Sequence, residues 1–227
     1  KLKNAIISNE ENLRMALHLE MGKSWSSTEG DYSMLIDSLD YYANLITQKQ
    51  LSDDSDSVVD YQHQITRQAV GVVGAFLAWN FPLLNIAYKV GPAMAAGCPI
   101  IIKPSLKTSL SACVFGEICE SIGLPNGVIN MVCGDDELIG DTISSSTIPA
   151  MISLIGSSAV GRHVIKTGAT SIKRYSMELG GNAPVLVLDD ADLDLASDIV
   201  ATMKTENAGQ ICVTPNRVFV HHLVHDK

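Results

Sequence analysis

The alternation of short β-rich runs with helical stretches from Gln68 onward constrains the fold of this chain most strongly. The β-rich runs cover 70–76, 99–102, 128–132, 151–155 and 185–188. The helical stretches between and after these runs cover 84–96, 108–122, 159–167 and 193–205. This order predicts βαβ units, and therefore an α/β fold with a doubly wound, mainly parallel sheet and helices on both of its faces. Because such sheets bind ligands at the carboxyl ends of their strands, functional residues are expected just after each run.

The residues before Gln68 follow other patterns. Ser8 and Glu11 form an S-x-x-E capping box, which predicts a helix that begins there and stops at Gly22. Apolar residues spaced along 36–46 predict a second helix. We interpret the polar run 48–57 as a connector and the alternating run 58–66 as an exposed or edge-pairing strand.

The composition is that of a globular protein. Apolar residues make up 46% of the chain and charged residues 18%, which predicts a well-buried core. The formal net charge of −9 argues against nucleic acid and against an anionic membrane as partners, because no basic stripe is available to neutralise phosphates. The longest apolar stretches are shorter than the ~20 residues that a membrane-spanning helix needs. We therefore expect a soluble protein.

The cysteines and the amino terminus bear on compartment and completeness. The chain has five cysteines, at 98, 113, 119, 133 and 212. They are odd in number and form no CxxC pair, so neither a disulfide framework nor a zinc site is expected, and reduced thiols in a cytoplasmic protein are the natural interpretation. The chain begins at Lys1 without a leader sequence, which is typical of a fragment.

Two strand ends carry polar side chains that could serve a ligand. In the W-N-F-P turn at 79–82, Pro82 would let a helix begin and Asn80 would expose an amide that can donate to an oxyanion. A turn asparagine that satisfies local backbone is the alternative. Lys103 follows the next β-rich run and would place an ammonium at the sheet edge, suited to ribose hydroxyls or phosphate. A simple solvated lysine is the alternative there.

A glycine turn between a strand and a helix occupies 155–162. The start of that helix would leave backbone N–H groups unpaired and facing a pyrophosphate. The segment is not a Walker A loop, because Arg162 and His163 stand where lysine and serine or threonine are required, and the chain contains no G-x-G-x-x-G. Alone, this turn is weak evidence for nucleotide binding.

Two residues could carry covalent chemistry. Glu178 lies beside the double glycine 180–181 at the end of an apolar stretch, where it could act as a base or simply cap a helix or form a salt bridge. Cys212 follows a glycine turn, and a thiol is the side chain most easily activated as a nucleophile at neutral pH. A cysteine in apolar company can also be buried packing.

Taken in order, these segments resemble the aldehyde dehydrogenase superfamily, in particular its succinate-semialdehyde dehydrogenase-like branch. The resemblance covers essentially the whole chain and rests on L-E-M-G-K at 19–23, W-N-F-P at 79–82, K-P at 103–104, G-S-x-x-x-G-R at 156–162, E-L-G-G-N-A-P at 178–184, and G-Q-x-C at 209–212 followed by Arg217. It implies a Rossmann-like domain for dinucleotide binding from 1–49 and 69–181. It further implies an oligomerisation strand at 50–68 and the incomplete start of a second α/β domain, the catalytic one, at 182–227.

The resemblance also implies site residues and a reaction. An aldehyde would be oxidised to a carboxylic acid with NAD or NADP, through a thiohemiacetal and a thioester on Cys212. Asn80 would stabilise the oxyanion and Glu178 would activate water. The implied cofactor contacts are Trp79, Lys103, Ser105, Leu106, Gly156, Ser157, Leu179 and Gly180, with Lys103 on the adenosine ribose and Ser157 on the pyrophosphate.

Departures from the family pattern shape the expected specificity. Leu106 stands where NAD-preferring relatives often carry a carboxylate, so no anion at that position repels a 2′-phosphate, and NADP is expected to be tolerated or even preferred. Asp135 and Asp136 occupy places where relatives usually have small residues, so the sequence does not indicate how the adenine edge would be contacted. Glu206 replaces an arginine that the succinate semialdehyde branch uses for the substrate carboxylate, so we expect a neutral or cationic aldehyde.

Two other interpretations of the chain are open. It could be a truncated, inactive fragment that binds a dinucleotide without reducing it, or an interaction module built on the strand at 58–66. A homo-oligomer, a dimer or tetramer, is expected for the full-length form. His221, His222 and His225 raise the question of a metal site, but adjacent histidines on a strand point to opposite faces, so none is expected.

Overall fold

The computed structural model describes residues 1–48, 54–58 and 61–226. These residues form two compact units, Lys1–Glu178 and Leu179–Lys227. The assignment of dinucleotide binding to one segment and of catalysis to another stays a prediction. None of the helices in the described ranges is long and apolar enough to cross a membrane.

Three helices open the first unit: α1 (Leu2–Ser8), α2 (Glu10–Met21) and α3 (Trp25–Gln48). The predicted stop at Gly22 is confirmed, because this residue adopts the left-handed conformation (φ 69°) that glycine tolerates best. The capping box is wrong. Ser8 is the last residue of α1 rather than a cap, and its hydroxyl donates back to the Asn4 carbonyl at 3.0 Å. The N-cap position of α2 is Asn9, not Ser8.

An antiparallel hairpin follows, made of β1 (Asp54–Val58) and β2 (Tyr61–Ile65). The interpretation of 48–57 as a connector is therefore wrong for 54–57, which pair as a strand. Residues 49–53 and 59–60, which also belong to the predicted connector and strand, lie outside the described residues. Tyr61 and Ile65 are exposed in this chain, as an exposed strand requires.

The main sheet of the first unit has five strands in the order β5-β4-β3-β6-β7. The pairs β3/β4, β3/β6 and β4/β5 are parallel, which confirms the doubly wound α/β prediction. In chain order its elements are β3 (Val72–Phe76), α4 (Pro82–Ala95), β4 (Ile100–Lys103), α5 (Leu110–Ser121), β5 (Ile129–Met131), α6 (Asp136–Ser145), β6 (Pro149–Gly156), α7 (Ser158–Thr167), a short 3-10 helix (Gly168–Thr170) and β7 (Arg174–Leu179).

Helices cover both faces of this sheet. On one face the apolar cluster joins α1 to α5 with the strands, and its fully buried members include Leu13, Ile86, Ile100 and Phe115. On the other face α6 approaches so closely that a Cβ on Gly74, in the middle of β3, would lie 2.9 Å from a methyl group of Ile143. Glycine is therefore required in this strand by close packing.

The second unit is a βαβ element made of β8 (Pro184–Val187), α8 (Leu193–Thr205), a 3-10 turn (Glu206–Gly209) and β9 (Arg217–Val220). The two strands pair in parallel, with Val185 opposite Val218. The Asp192 side chain caps α8 by accepting from the Leu195 backbone N–H at 3.0 Å. This agrees with the predicted start of a second α/β domain.

Candidate active site

A cavity of about 650 Å³ opens at the carboxyl ends of β3, β4 and β6. The chain continues from β3 to β4 on one side and later adds β6 on the other side, so the cavity lies where the strand order reverses. Crevices at this point are the usual ligand sites of doubly wound sheets. We call it the main cavity, and its lining includes Trp79, Lys103, Ser105, Gly156 and Ser157, all of which were predicted to contact a cofactor.

The amino-terminal end of α7 forms one wall of the main cavity. Ser157 is the N-cap residue, with extended backbone, and its hydroxyl accepts from the Val160 N–H at 3.2 Å. The predicted order of strand, glycine turn and helix start is confirmed. The first N–H groups of a helix have no partner within the helix and attract anions, so this wall is suited to a phosphate group.

Lys103 forms another wall, and its surroundings differ from those of the simple solvated lysine that was the alternative interpretation. The side chain is buried rather than solvated at an edge, and its ammonium contacts the carboxylate of Asp136. Asp136 is the first residue of α6, and Asp135 caps this helix by accepting from the Leu138 N–H at 2.8 Å. The expectation that no anion stands at position 106 is unaffected, but an anion from another element occupies the same neighbourhood. Asp136 was singled out from the sequence, but its contact with Lys103 was not predicted, because α6 was not predicted.

Trp79 follows β3 and Leu106 follows β4. Trp79 is about one-third exposed, and the Lys107 ammonium lies 5.6 Å from the centre of its ring. Leu106 is half exposed and lies outside the lining of the main cavity, within the part of the chain that the structure describes. Its predicted role as a cofactor contact stays a prediction.

The W-N-F-P turn leads into α4, whose first turn is bonded to α3. Pro82 begins α4, as predicted, and buried Asp31 accepts from the Leu84 N–H at 2.7 Å while it pairs with Lys23 at 3.1 Å. The side-chain oxygen of Asn80 is buried, whereas the residue as a whole is half-buried, and its role as an oxyanion donor stays a prediction. Asn80 lines neither the main cavity nor the second cavity described next, as far as the described residues show.

A second cavity, of about 620 Å³, contains Glu178 and Lys89. Glu178 lies exposed near the end of β7, and Lys89 is buried within α4. Burial lowers the pKa of Lys89, whereas the nearby Glu178 carboxylate raises it. Sequence reasoning did not select Lys89, although it is the one charged residue in the apolar helix 82–95. That isolation was the available signal.

Cys212 belongs to the second unit, where it is exposed. A Cβ on Gly181 would lie 3.3 Å from the Cys212 carbonyl oxygen, so Gly181 and the G-Q-x-C motif are neighbours within that unit. Asn207 and Ala208 have positive φ values of 48° and 56°, which non-glycine residues adopt only at a cost. This strained turn leads directly into the segment that carries Cys212. Leu179 ends β7, and Gly180 follows it, exposed.

The other cysteines and the histidines near the carboxyl end were also considered as site residues. Cys98 and Cys119 are buried, and burial raises the pKa of the Cys119 thiol to about 12. His221 and His222 follow β9 instead of lying on a strand, and their rings are neighbours with centroids 4.4 Å apart at an interplanar angle of 39°, so the expectation that they point to opposite faces is wrong. Within the described ranges, histidine, cysteine and acidic side chains form no group of three or more that could hold a metal ion.

Comparison with known proteins places these features in a family. The aldehyde dehydrogenase family model matches residues 1–227. The mitochondrial succinate-semialdehyde dehydrogenase of Arabidopsis thaliana is 39% identical over 222 residues, which are 98% of this chain and 42% of that protein. GabD of Escherichia coli K12, a succinate-semialdehyde dehydrogenase described as NADP(+), is 35% identical over 99% of this chain and 46% of its own length.

Solved structures agree. Succinate-semialdehyde dehydrogenase from Burkholderia pseudomallei has a TM-score of 0.94 and 38% identity over 99% of this chain and 47% of that chain. Betaine aldehyde dehydrogenase from Staphylococcus aureus, in complex with NAD+, has a TM-score of 0.93 and 30% identity over 99% of this chain and 45% of that chain. The chain thus spans less than half the length of these relatives. Since the family model matches every residue and the fold agrees with solved structures, this chain belongs to the aldehyde dehydrogenase family.

Proposed function

We propose that this chain takes part in the NAD(P)-dependent oxidation of an aldehyde to a carboxylic acid, with Cys212 as the nucleophile. The observation that carries the proposal is the main cavity, which combines the capped start of α7 with the buried Lys103 at the reversal of strand order. A helix start attracts a pyrophosphate and an ammonium can bind ribose oxygens, so the two walls fit the two polar parts of a dinucleotide.

The chain's own residues would act in sequence. The Cys212 thiolate attacks the aldehyde carbon, and the oxyanion of the resulting thiohemiacetal accepts hydrogen bonds from the Asn80 amide and the Cys212 backbone N–H. A bound nicotinamide supplies the hydride acceptor for oxidation of this adduct to a thioester. Glu178 then takes a proton from water, which hydrolyses the thioester and frees Cys212. This scheme requires all three side chains to face one substrate.

Turnover by Cys212 and Asn80 variants of a full-length protein tests the scheme. Cys212→Ala should abolish formation of reduced nicotinamide, and Asn80→Ala should lower turnover about 100 to 1,000-fold. Cys113→Ala, which changes an exposed cysteine of the first unit, is the matched control and should retain activity. Full activity in the Cys212→Ala protein would rule out the scheme.

For the cofactor, we propose that both NAD and NADP are accepted. Leu106 offers no charge against a 2′-phosphate, and relatives of this chain include GabD, described as NADP(+), and a betaine aldehyde dehydrogenase solved with NAD+. Saturation curves for both cofactors with one aldehyde test this proposal. NAD bound at least about tenfold more tightly than NADP would contradict the tolerance of NADP that the neutral Leu106 implies.

For the substrate, we propose a neutral or cationic aldehyde. Glu206 follows α8, in the turn before Cys212, and a carboxylate there disfavours an aldehyde that carries a second carboxylate. Some relatives are named for succinate semialdehyde, which is an anionic aldehyde, so anionic and uncharged substrates need to be compared directly. A higher kcat/KM for succinate semialdehyde than for an uncharged aldehyde of similar length would contradict the proposal.

A second candidate function rests on coverage. Because the chain spans less than half of its relatives, it could bind a dinucleotide without reducing it. Calorimetric titration of the 227-residue chain with NAD and NADP, followed by an aldehyde panel, separates binding from turnover. Binding without turnover supports the inactive fragment.

We also propose that the full-length form is a homo-dimer or homo-tetramer. The hairpin of β1 and β2 supports this, because the described side chains of its second strand, Tyr61, His63 and Ile65, are exposed. Light scattering behind a sizing column gives the mass directly. A monomer at micromolar concentration would contradict the proposal.

A further inference from the structure

The charges of the main cavity are unbalanced. Its lining contains one lysine, Lys103, against three carboxylates from α6, namely Asp136, Glu137 and Asp141. His163 of α7 also lines the cavity and contacts Asp141 at 2.6 Å. A ligand that brings a further phosphate to this wall therefore meets more negative than positive charge.

The position of Asp136 distinguishes it from the other two carboxylates. Its carboxylate contacts the Lys103 ammonium. The Lys103 side chain is only 8% exposed, and its ammonium also lies 3.4 Å from the Pro104 carbonyl oxygen. Asp136 itself is 58% exposed, so its carboxylate reaches Lys103 and still faces the cavity. The one lysine of the lining is thus already neutralised by an anion before any ligand arrives.

The geometry points to Asp136 as the residue that sets how strongly this cavity discriminates against a phosphate on the 2′-oxygen of a bound adenosine. The inference rests on the proposed function, because it assumes that the adenosine ribose binds beside Lys103. A ribose 2′-hydroxyl can donate to the Asp136 carboxylate, whereas a 2′-phosphate is acceptor and anion together and competes with Asp136 for Lys103. Neutral Leu106 leaves that discrimination to Asp136.

Two adenosine ligands that differ only in this phosphate provide the test. Calorimetric titration of the 227-residue chain with AMP and with adenosine 2′,5′-bisphosphate measures the discrimination without catalysis. In Asp136→Asn, the affinity for the bisphosphate should rise roughly tenfold, while the affinity for AMP should change by about twofold or less. The gain should shrink when the salt concentration rises, because the repulsion is screened. If the role of Asp136 were merely structural, its substitution would change the affinities for both ligands by the same factor.

Glu137→Gln is the matched control, because Glu137 lies in the same helix and the same lining without a contact to Lys103 among the described residues. An equal change in Asp136→Asn and Glu137→Gln would overturn the assignment to Asp136. An unchanged ratio of the two affinities in Asp136→Asn, with both ligands bound, would overturn the inference and leave the proposed function intact. Failure of both ligands to bind any variant would overturn both.

Discussion

The Lys89 ammonium and the Glu178 carboxylate line one cavity, and the Glu178 charge acts on the pKa of Lys89. Burial is the larger influence on Lys89 and lowers its pKa, because an ammonium loses hydration inside the protein. Glu178 opposes this effect only in part. Because burial disfavours the charged form of Lys89, this residue has a measurable effect on the free energy of unfolding.

We expect Lys89→Met to raise the stability of the chain near neutral pH. Below the folded-state pKa, both states carry the proton and the cost of burying the charge is fully present. Between that pKa and the ordinary value of 10.5, the unfolded state binds more protons, so wild-type stability rises with pH. The advantage of the variant should therefore shrink as the pH approaches 10.5. Urea denaturation across this range checks it, with exposed Lys166→Met as the control.

We expect Asp31→Ala to destabilise the chain by about 3–5 kcal/mol, since it leaves Lys23 buried without its partner. It also removes the acceptor of the Leu84 N–H, at the start of α4. Asp37→Ala, on an exposed part of the same helix, should change stability by less than about 0.5 kcal/mol. Thermal and urea denaturation measure both changes. Similar small effects of the two substitutions would show that the buried pair is dispensable.

We expect Gly91→Ala and Gly30→Ala to act in opposite directions. A Cβ on Gly91 would lie 2.6 Å from the Tyr42 ring, where α4 packs on α3, so this substitution should cost about 1–3 kcal/mol. A Cβ on Gly30 meets nothing within 4 Å, and alanine favours a helix more than glycine does by about 0.5–1 kcal/mol. Destabilisation by both, measured in urea, would contradict the close approach at Gly91.

We expect alkylation to separate the five cysteines by burial. Cys113, Cys133 and Cys212 are exposed and should react with iodoacetamide in the native chain, whereas Cys98 and Cys119 should not. Cys119 has a second reason to resist, because a pKa of about 12 leaves almost no thiolate near neutral pH. Peptide mass mapping after a timed reaction gives the order in which the cysteines are alkylated. Rapid labelling of Cys119 in folded protein would contradict its burial.

The sequence was informative wherever local pattern and final structure coincide. Helix 193–205 was predicted with the bounds that the structure has, because Asp192 caps its start and apolar residues recur at helical spacing. Pro82 as the start of α4 was equally legible, since proline fits the first turn of a helix.

The sequence was silent where local preference is weak. Helix α6 contains Gly140 and several serine and β-branched residues, which are poor helix formers, and its only clear signal is the Asp135 cap. Strand β7 mixes charged and apolar residues without strict alternation. Helix α6 packs against α7 and against strands β3 and β6, and β7 belongs to the sheet, so neighbouring elements stabilise both more than their own composition does.

The environment of Lys103 shows why side-chain roles are harder to predict than elements. Its position at the end of β4 was evident from the sequence. Its burial and its contact with Asp136 arise because α6, far along the chain, lies beside the end of that strand. A partner from a distant element leaves no trace in local spacing. Whether Cys212, Glu178 and Asn80 act together stays a prediction for the same reason.

The central position of β3 has a consequence for the order in which the chain folds. Gly74 pairs with Ile101 of β4 nearby in the chain, but its other partner, Ile152 of β6, is synthesised much later. Until β6 arrives, one edge of an apolar strand stays open to pairing with other chains. Nascent or refolding molecules should therefore aggregate most readily at the stage when β4 has docked and β6 has not.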